Sequence, residues 1–192
     1  LTYSSVTTNT SVTTSYVDAS AGQAYALTSA STGDELIGTA DADTFTAITT
    51  ARLQTADVLD GGAGIDTLTA KINHATNHDA TMDGIEIINL TSVAAAAIDG
   101  ANITGATNVN VTSTGYVTTY KSQDAEVFSV SGAAAGLTVT RTATDTTTDA
   151  ITVNLTSGAL GTLTLGATNA GADYETFNLV VAGATKATLT EA

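Results

Sequence analysis

The chain has 192 residues and a net charge of −14, from 19 acidic and only 5 basic side chains. The basic residues Arg52, Lys71, Lys121, Arg141 and Lys186 are scattered, so no basic face exists for nucleic acid or for insertion at an anionic membrane. There is no Cys, Pro or Trp, which excludes disulfides and thiol chemistry and leaves a chain dominated by Thr, Ala, Ser, Val, Asn and Gly.

Residues 1–33 are Thr- and Ser-rich with loose alternation, as in Ser11-Val12-Thr13-Thr14-Ser15-Tyr16-Val17, and read as N-terminal strands or a linker. Neither a charged leader before an apolar run nor an apolar stretch of spanning length is visible. The pattern starts and stops in mid-repeat, so the chain reads as a segment of a longer protein.

Residues 34–69 carry the most specific feature. Gly61-Gly62-Ala63-Gly64-Ile65-Asp66-Thr67-Leu68-Thr69 matches every fixed position of the nonapeptide G-G-x-G-x-D-x-U-x, where U is apolar. Glycine at positive φ closes a tight turn and lets carbonyls point inward. Asp66 adds a carboxylate, and Leu68 returns the chain to a strand. An all-oxygen set of this kind suits a hard cation, calcium above all. A second copy, Gly38-Thr39-Ala40-Asp41-Ala42-Asp43-Thr44-Phe45-Thr46, begins 23 residues upstream. It keeps the first glycine, the aspartate and the apolar residue, but Thr39 and Asp41 replace the other glycines. The spacing is about one solenoid coil, so the two loops are expected to stack on adjacent coils with calcium between them. The candidate ligands are Gly38, Asp41 and Asp43 in the first loop and Gly61, Gly62, Gly64 and Asp66 in the second. Asp34, Asp57 and Asp60 flank the loops and are expected to complete the coordination. The alternative is that one repeat arose by composition and the turns are only turns. Between the loops, residues 47–56 read as a single helical turn or plain loop.

Residues 70–192 read as further coils. Glu86-Ile87-Ile88-Asn89-Leu90-Thr91 recurs as Thr107-Asn108-Val109-Asn110-Val111-Thr112, Glu126-Val127-Phe128-Ser129-Val130-Ser131, Ile151-Thr152-Val153-Asn154-Leu155-Thr156 and Glu175-Thr176-Phe177-Asn178-Leu179-Val180. Aligned on Asn or Ser at 89, 110, 129, 154 and 178, the spacings are 21, 19, 25 and 24 residues. Further strands are expected at residues 137–140 and 160–165, and residues 94–97 as a helical turn or a packed coil corner. Each repeat alternates with period 2, so its apolar residues share one face. One such strand cannot bury that face alone, whereas stacked coils can. The pattern predicts an all-β, right-handed parallel β-helix or β-solenoid, probably one continuous domain, with a β-sandwich as the alternative.

Three stretches occur in order: residues 36–45, residues 60–68 and Gly84-Ile85-Glu86-Ile87-Ile88-Asn89-Leu90-Thr91-Ser92. That order resembles the calcium-binding (RTX-type) repeats of surface-layer proteins of Gram-negative bacteria exported by type I secretion. The resemblance covers roughly residues 27–115. The nonapeptide is shared with secreted toxins, proteases, lipases and adhesins, so alone it points to calcium rather than to a role. The resemblance implies a secreted protein that self-assembles into a calcium-dependent lattice on the cell surface. It also implies anchoring to cell-surface polysaccharide through a region outside this chain. The rival readings are a secreted adhesin or biofilm-matrix protein, and a calcium-folded carrier segment of a toxin or enzyme. The first loop departs from the family pattern at two glycines, which puts its share of the coordination in question.

Other constellations are poorer. His74 and His78 are spaced i, i+4 but lack the Glu of H-E-x-x-H. Asn9, Asn89, Asn102, Asn110 and Asn154 begin N-x-S/T as a by-product of strand alternation. Asp83, Asp99 and Asp173 lie in turn-like contexts. No nucleophile elbow or triad motif is recognisable, and no enzyme is expected.

Overall fold

The protein is described by a computed structural model covering residues 21–49, 52–73, 78–113, 117–122, 127–132, 136–141, 150–155, 162–167, 176–182 and 188–191. Expectations on residues 11–17, His74, residue 160 and residues 171–173 lie outside them. The strands are β1 (Ala24–Ala26), β2 (Glu35–Ile37), β3 (Thr44–Ala47), β4 (Val58–Asp60), β5 (Thr67–Ile72), β6 (Thr81–Asp83), β7 (Ile87–Ser92), β8 (Ala96–Asp99), β9 (Ile103–Thr104), β10 (Asn108–Ser113), β11 (Val117–Ser122), β12 (Val127–Ser131), β13 (Gly136–Arg141), β14 (Ala150–Leu155), β15 (Thr162–Ala167), β16 (Thr176–Val181) and β17 (Thr188–Glu191).

The pairings among them are parallel. They build a long sheet in the order β1-β3-β5-β7-β10-β12-β14-β16 and two shorter ones, β2-β4-β6-β9 and β8-β11-β13-β15-β17. Every second strand in sequence joins the long sheet, which is the wiring of a parallel β-solenoid. The β-sandwich is thereby excluded, because its neighbouring strands run antiparallel.

Alternation decides which side chains enter the coil. In β5, Leu68, Ala70 and Ile72 are buried while Thr67, Thr69 and Lys71 are half-exposed. Register then stacks like on like. Phe45, Leu68, Ile88, Val109, Phe128 and Val153 form one buried column, and Ala47, Ala70, Leu90, Val111, Val130 and Leu155 another. Leu36, Leu59, Met82 and Ile103 line up beneath the second sheet. On the outer face, the amide of Asn110 donates to Asn89 Oδ1 at 2.8 Å, part of a polar ladder along the long sheet.

The second side of the coil changes along the axis. Early coils pass from the long sheet through irregular chain to β2, β4 and β6. The β7 coil makes both β8 and β9, joined by a short 3-10 turn that Asp99 caps by accepting from Ala101 N–H. Later coils keep only the β8 side as described strand. Residues 94–97, expected as a helical turn or corner, instead lead into β8. Residues 48–49 and 52–56 form bends and turns rather than helix. The last repeat is also re-registered: Asn154 pairs with Val180, and Thr152 with Asn178, so the final spacing is 26 residues instead of 24. A shift of two preserves the buried face.

Candidate metal centre

The corner between β2, β4, β6 and the long sheet is built on a column of glycines. Gly38, Gly61 and Gly84 follow three successive strands of the second sheet. A Cβ on Gly61 would lie 1.9 Å from the carbonyl oxygen of Gly84, and one on Gly38 would lie 2.0 Å from that of Gly61. Only glycine lets successive coils approach this closely. The two loops also stack through their backbones. Gly38 N–H donates to Asp60 O at 2.6 Å, Gly61 N–H to Asp83 O at 2.8 Å, Ala63 N–H to Thr39 O at 3.1 Å and Thr67 N–H to Asp43 O at 2.9 Å. Gly62 and Gly64 hold φ of 85° and 119°, which side chains rarely adopt.

Inside this corner the acidic side chains form a ladder. Gln23 N–H donates to Asp43 Oδ1, Asp43 N–H to Asp66 Oδ1 at 2.6 Å, and Asp66 N–H to Glu86 Oε2 at 2.8 Å. Each carboxylate reaches back to the amide of the coil before it. The second oxygens differ. Asp43 Oδ2 accepts Thr39 N–H at 2.5 Å. Asp66 Oδ2 is buried without a hydrogen-bond partner, and it lies 2.5 Å from where a Cβ on Gly61 would stand. The amide that matches Thr39 N–H in the second loop, Gly62 N–H, turns instead to Asp60 Oδ1 at 2.9 Å.

Burial is the largest influence on both aspartates and pushes each carboxyl upward. At Asp43 the N–H groups of Thr39 and Gln23 and the Thr39 hydroxyl together outweigh it, and the carboxyl is held below its usual range. At Asp66 only Asp43 N–H opposes burial, while the charges of Glu86, Asp43 and Asp60 repel, so the carboxyl is raised. A buried, unpaired oxygen in a field of three further carboxylates is a poor place for an electron pair and a good one for a cation. Among the described residues, no three His, Cys, Asp or Glu side chains gather into a ready-made cage. A cation held by Asp66 would therefore draw its other ligands from loop carbonyls, which is the donor set calcium accepts.

The expected residues thus divide. Gly38, Asp43, Asp60, Gly61, Gly62, Gly64 and Asp66 come together at one corner, with Asp41 on the exposed rim of the first loop. Asp34 and Asp57 do not join them. They sit at the far ends of β2 and β4, about 10 Å of strand away. Asp57 Oδ1 accepts Asp34 N–H at 2.8 Å and its Oδ2 accepts Gln54 N–H at 2.7 Å; Asp34 is held by the amide and hydroxyl of Thr28. Burial raises the Asp57 carboxyl, the two amides oppose it, and the charge of Asp34 adds to it. Glu86 belongs to the ladder and is not among the expected ligands. Its signal is the glycine column itself, since Gly84 repeats the 23-residue spacing of Gly38 and Gly61 with a shortened loop.

His78 is a structural clasp. Asn73 N–H donates to Nε2 at 3.2 Å, which fixes the proton on Nδ1, 2.9 Å from Leu53 O. Both ring nitrogens are used within the chain.

No protein-family model, curated protein or solved structure matches this chain. The fold and corner alone define its class: a parallel β-solenoid with a glycine column and a carboxylate ladder along one edge.

Proposed function

We propose that this chain is a calcium-folded structural segment of a bacterial surface layer, secreted and assembled outside the cell. The observation that carries the reading is the buried, unpartnered Asp66 Oδ2 within stacked glycine loops. Calcium bound there supplies positive charge to the ladder of Asp43, Asp66 and Glu86, and ties neighbouring coils together. Asp66 provides the open oxygen, Gly61, Gly62 and Gly64 allow the close backbone approach, and Asp60 lines the rim. Empty loops repel, so binding energy becomes folding energy. Extracellular calcium modules bind at about 10⁻⁴–10⁻³ M, far above cytosolic calcium, which would keep the chain loose until export.

Self-association is favoured by the end of the long sheet. In β16, Leu179 and Val181 continue the two core columns, yet they are 41% and 54% exposed. Uncovered core columns and an unpaired strand edge suit addition of another coil or chain. No catalytic role is proposed, and anchoring to surface polysaccharide is assigned to another region. Electron microscopy of the purified protein tests the reading. Ordered sheets appearing with millimolar calcium and dispersing with chelator are expected. A calcium-bound monomer that adheres to cells or glycans would favour the adhesin reading, and particles indifferent to calcium would reject both.

A further inference from the structure

The two loops are the same length and stack in register, but they leave their aspartates in different states. We infer that this corner takes one divalent cation, at the second loop, and that Thr39 replaces the ion in the first. The inference rests on the calcium reading above and specifies which loop is loaded.

The difference begins one residue before each glycine. Ile37 and Asp60 are register partners on adjacent strands. Asp60 Oδ1 captures Gly62 N–H and draws it away from Asp66. Gly62 can follow, because φ of 85° costs glycine nothing. Asp66 Oδ2 is then left open and buried. In the first loop Ile37 has no acceptor to offer, so Thr39 N–H stays on Asp43 Oδ2. The Thr39 hydroxyl lies 3.3 Å from Asp43 Oδ1, and it also accepts Asp41 N–H at 3.2 Å, which locks the turn. Asp43 therefore has donors on both oxygens and no demand for a cation. The departure from the glycine pattern at Thr39 is a built-in substitute for the metal. The first coil can form without calcium, and the second becomes complete only when calcium arrives.

Calcium binding to the 192-residue chain, measured by equilibrium dialysis and calorimetry, tests this through changes in stoichiometry. Asp66→Asn should lose one ion per chain, while Asp43→Asn should lose none. The triple variant I37D/T39G/D41G, which rewrites the first loop in the pattern of the second, should gain one. It alters no buried side chain, so it reports even if Asp43→Asn fails to fold. Loss of one ion in each single variant, or no gain in the triple variant, overturns the inference while leaving calcium in place. An unchanged stoichiometry in Asp66→Asn overturns both this inference and the calcium reading of the corner.

Discussion

Gly61 illustrates how a single residue sets the geometry of the whole edge. Its Cα faces the Gly84 carbonyl of the next coil and the Oδ2 of Asp66, so both obstacles to a side chain are fixed by other parts of the corner. The carbonyl is backbone and cannot rotate away. Gly61→Ala would place a methyl 1.9 Å from that oxygen and 2.5 Å from the carboxylate. Overpacking typically costs 1–3 kcal/mol, and here relief requires the coils to part, so about 3 kcal/mol or more is expected by urea denaturation. Ala63→Ser, on the exposed tip of the same loop, should change stability by less than about 0.5 kcal/mol. Comparable losses in both variants would mean that the close approach does not bear on stability. The glycines and Asp66 were legible in the sequence because a tight loop is a local object: its turn angles and its carboxylate all lie within nine residues. Asp34 and Asp57 misled because proximity in sequence across β2 and β4 is distance in space. Glu86 was hidden because its loop is three residues shorter than the other two, so it does not stand five residues after its glycine.

At the scale of elements, the stacked columns of the long sheet hold the coils in register. Phe45 is fully buried and stacks on Tyr25, ring centroids 4.9 Å apart and planes 14° apart. It is the step between β1 and β5. Phe45→Ala should cost about 3–5 kcal/mol, the usual range for emptying an aromatic core site. Thr152→Ala on the outward face of β14 should cost about 0.5 kcal/mol or less. Denaturation of the two variants beside the parent chain reads the difference, and equal losses would contradict the inward and outward assignment. The strands of this sheet were readable because five or six residues are enough for alternation to declare itself. The three-residue strands β2, β4 and β6 are too short for that. The alanines preceding and opening β8 carry no strand signal of their own, and register with β11 decides the matter. The final register was misread by two residues because the connection between β14 and β16 is longer, and alternation is blind to an even shift.

At the scale of the whole molecule, proton and calcium compete for the same excess of negative charge. The chain carries −14, and burial raises the carboxyls of Asp57 and Asp66 above their ordinary range. A carboxyl raised in the folded state binds its proton more readily there than in the unfolded chain. Its contribution to stability therefore grows as pH falls from neutrality toward the unfolded value of about 4, and is lost as pH rises. Asp43 has the opposite sign: its contribution is present above about 4 and is lost only as pH falls further, through its lowered folded-state value. Metal-free protein should accordingly melt higher at pH 5 than at pH 7. Calcium reverses the trend, because it needs Asp66 ionised and a proton displaces it. At 10 mM calcium and the affinity usual for extracellular modules, the ion adds about 1.4–2.7 kcal/mol at pH 7. That corresponds to a rise in Tm of about 3–10 °C for a chain of this size, and the rise should shrink at pH 5. Calorimetry at the two pH values, with and without calcium, measures all four states. A metal-free protein that loses stability on mild acidification would show that the buried carboxyls are not the groups setting its pH dependence. A calcium increment independent of pH would show that the ion binds where no raised carboxylate must first give up its proton.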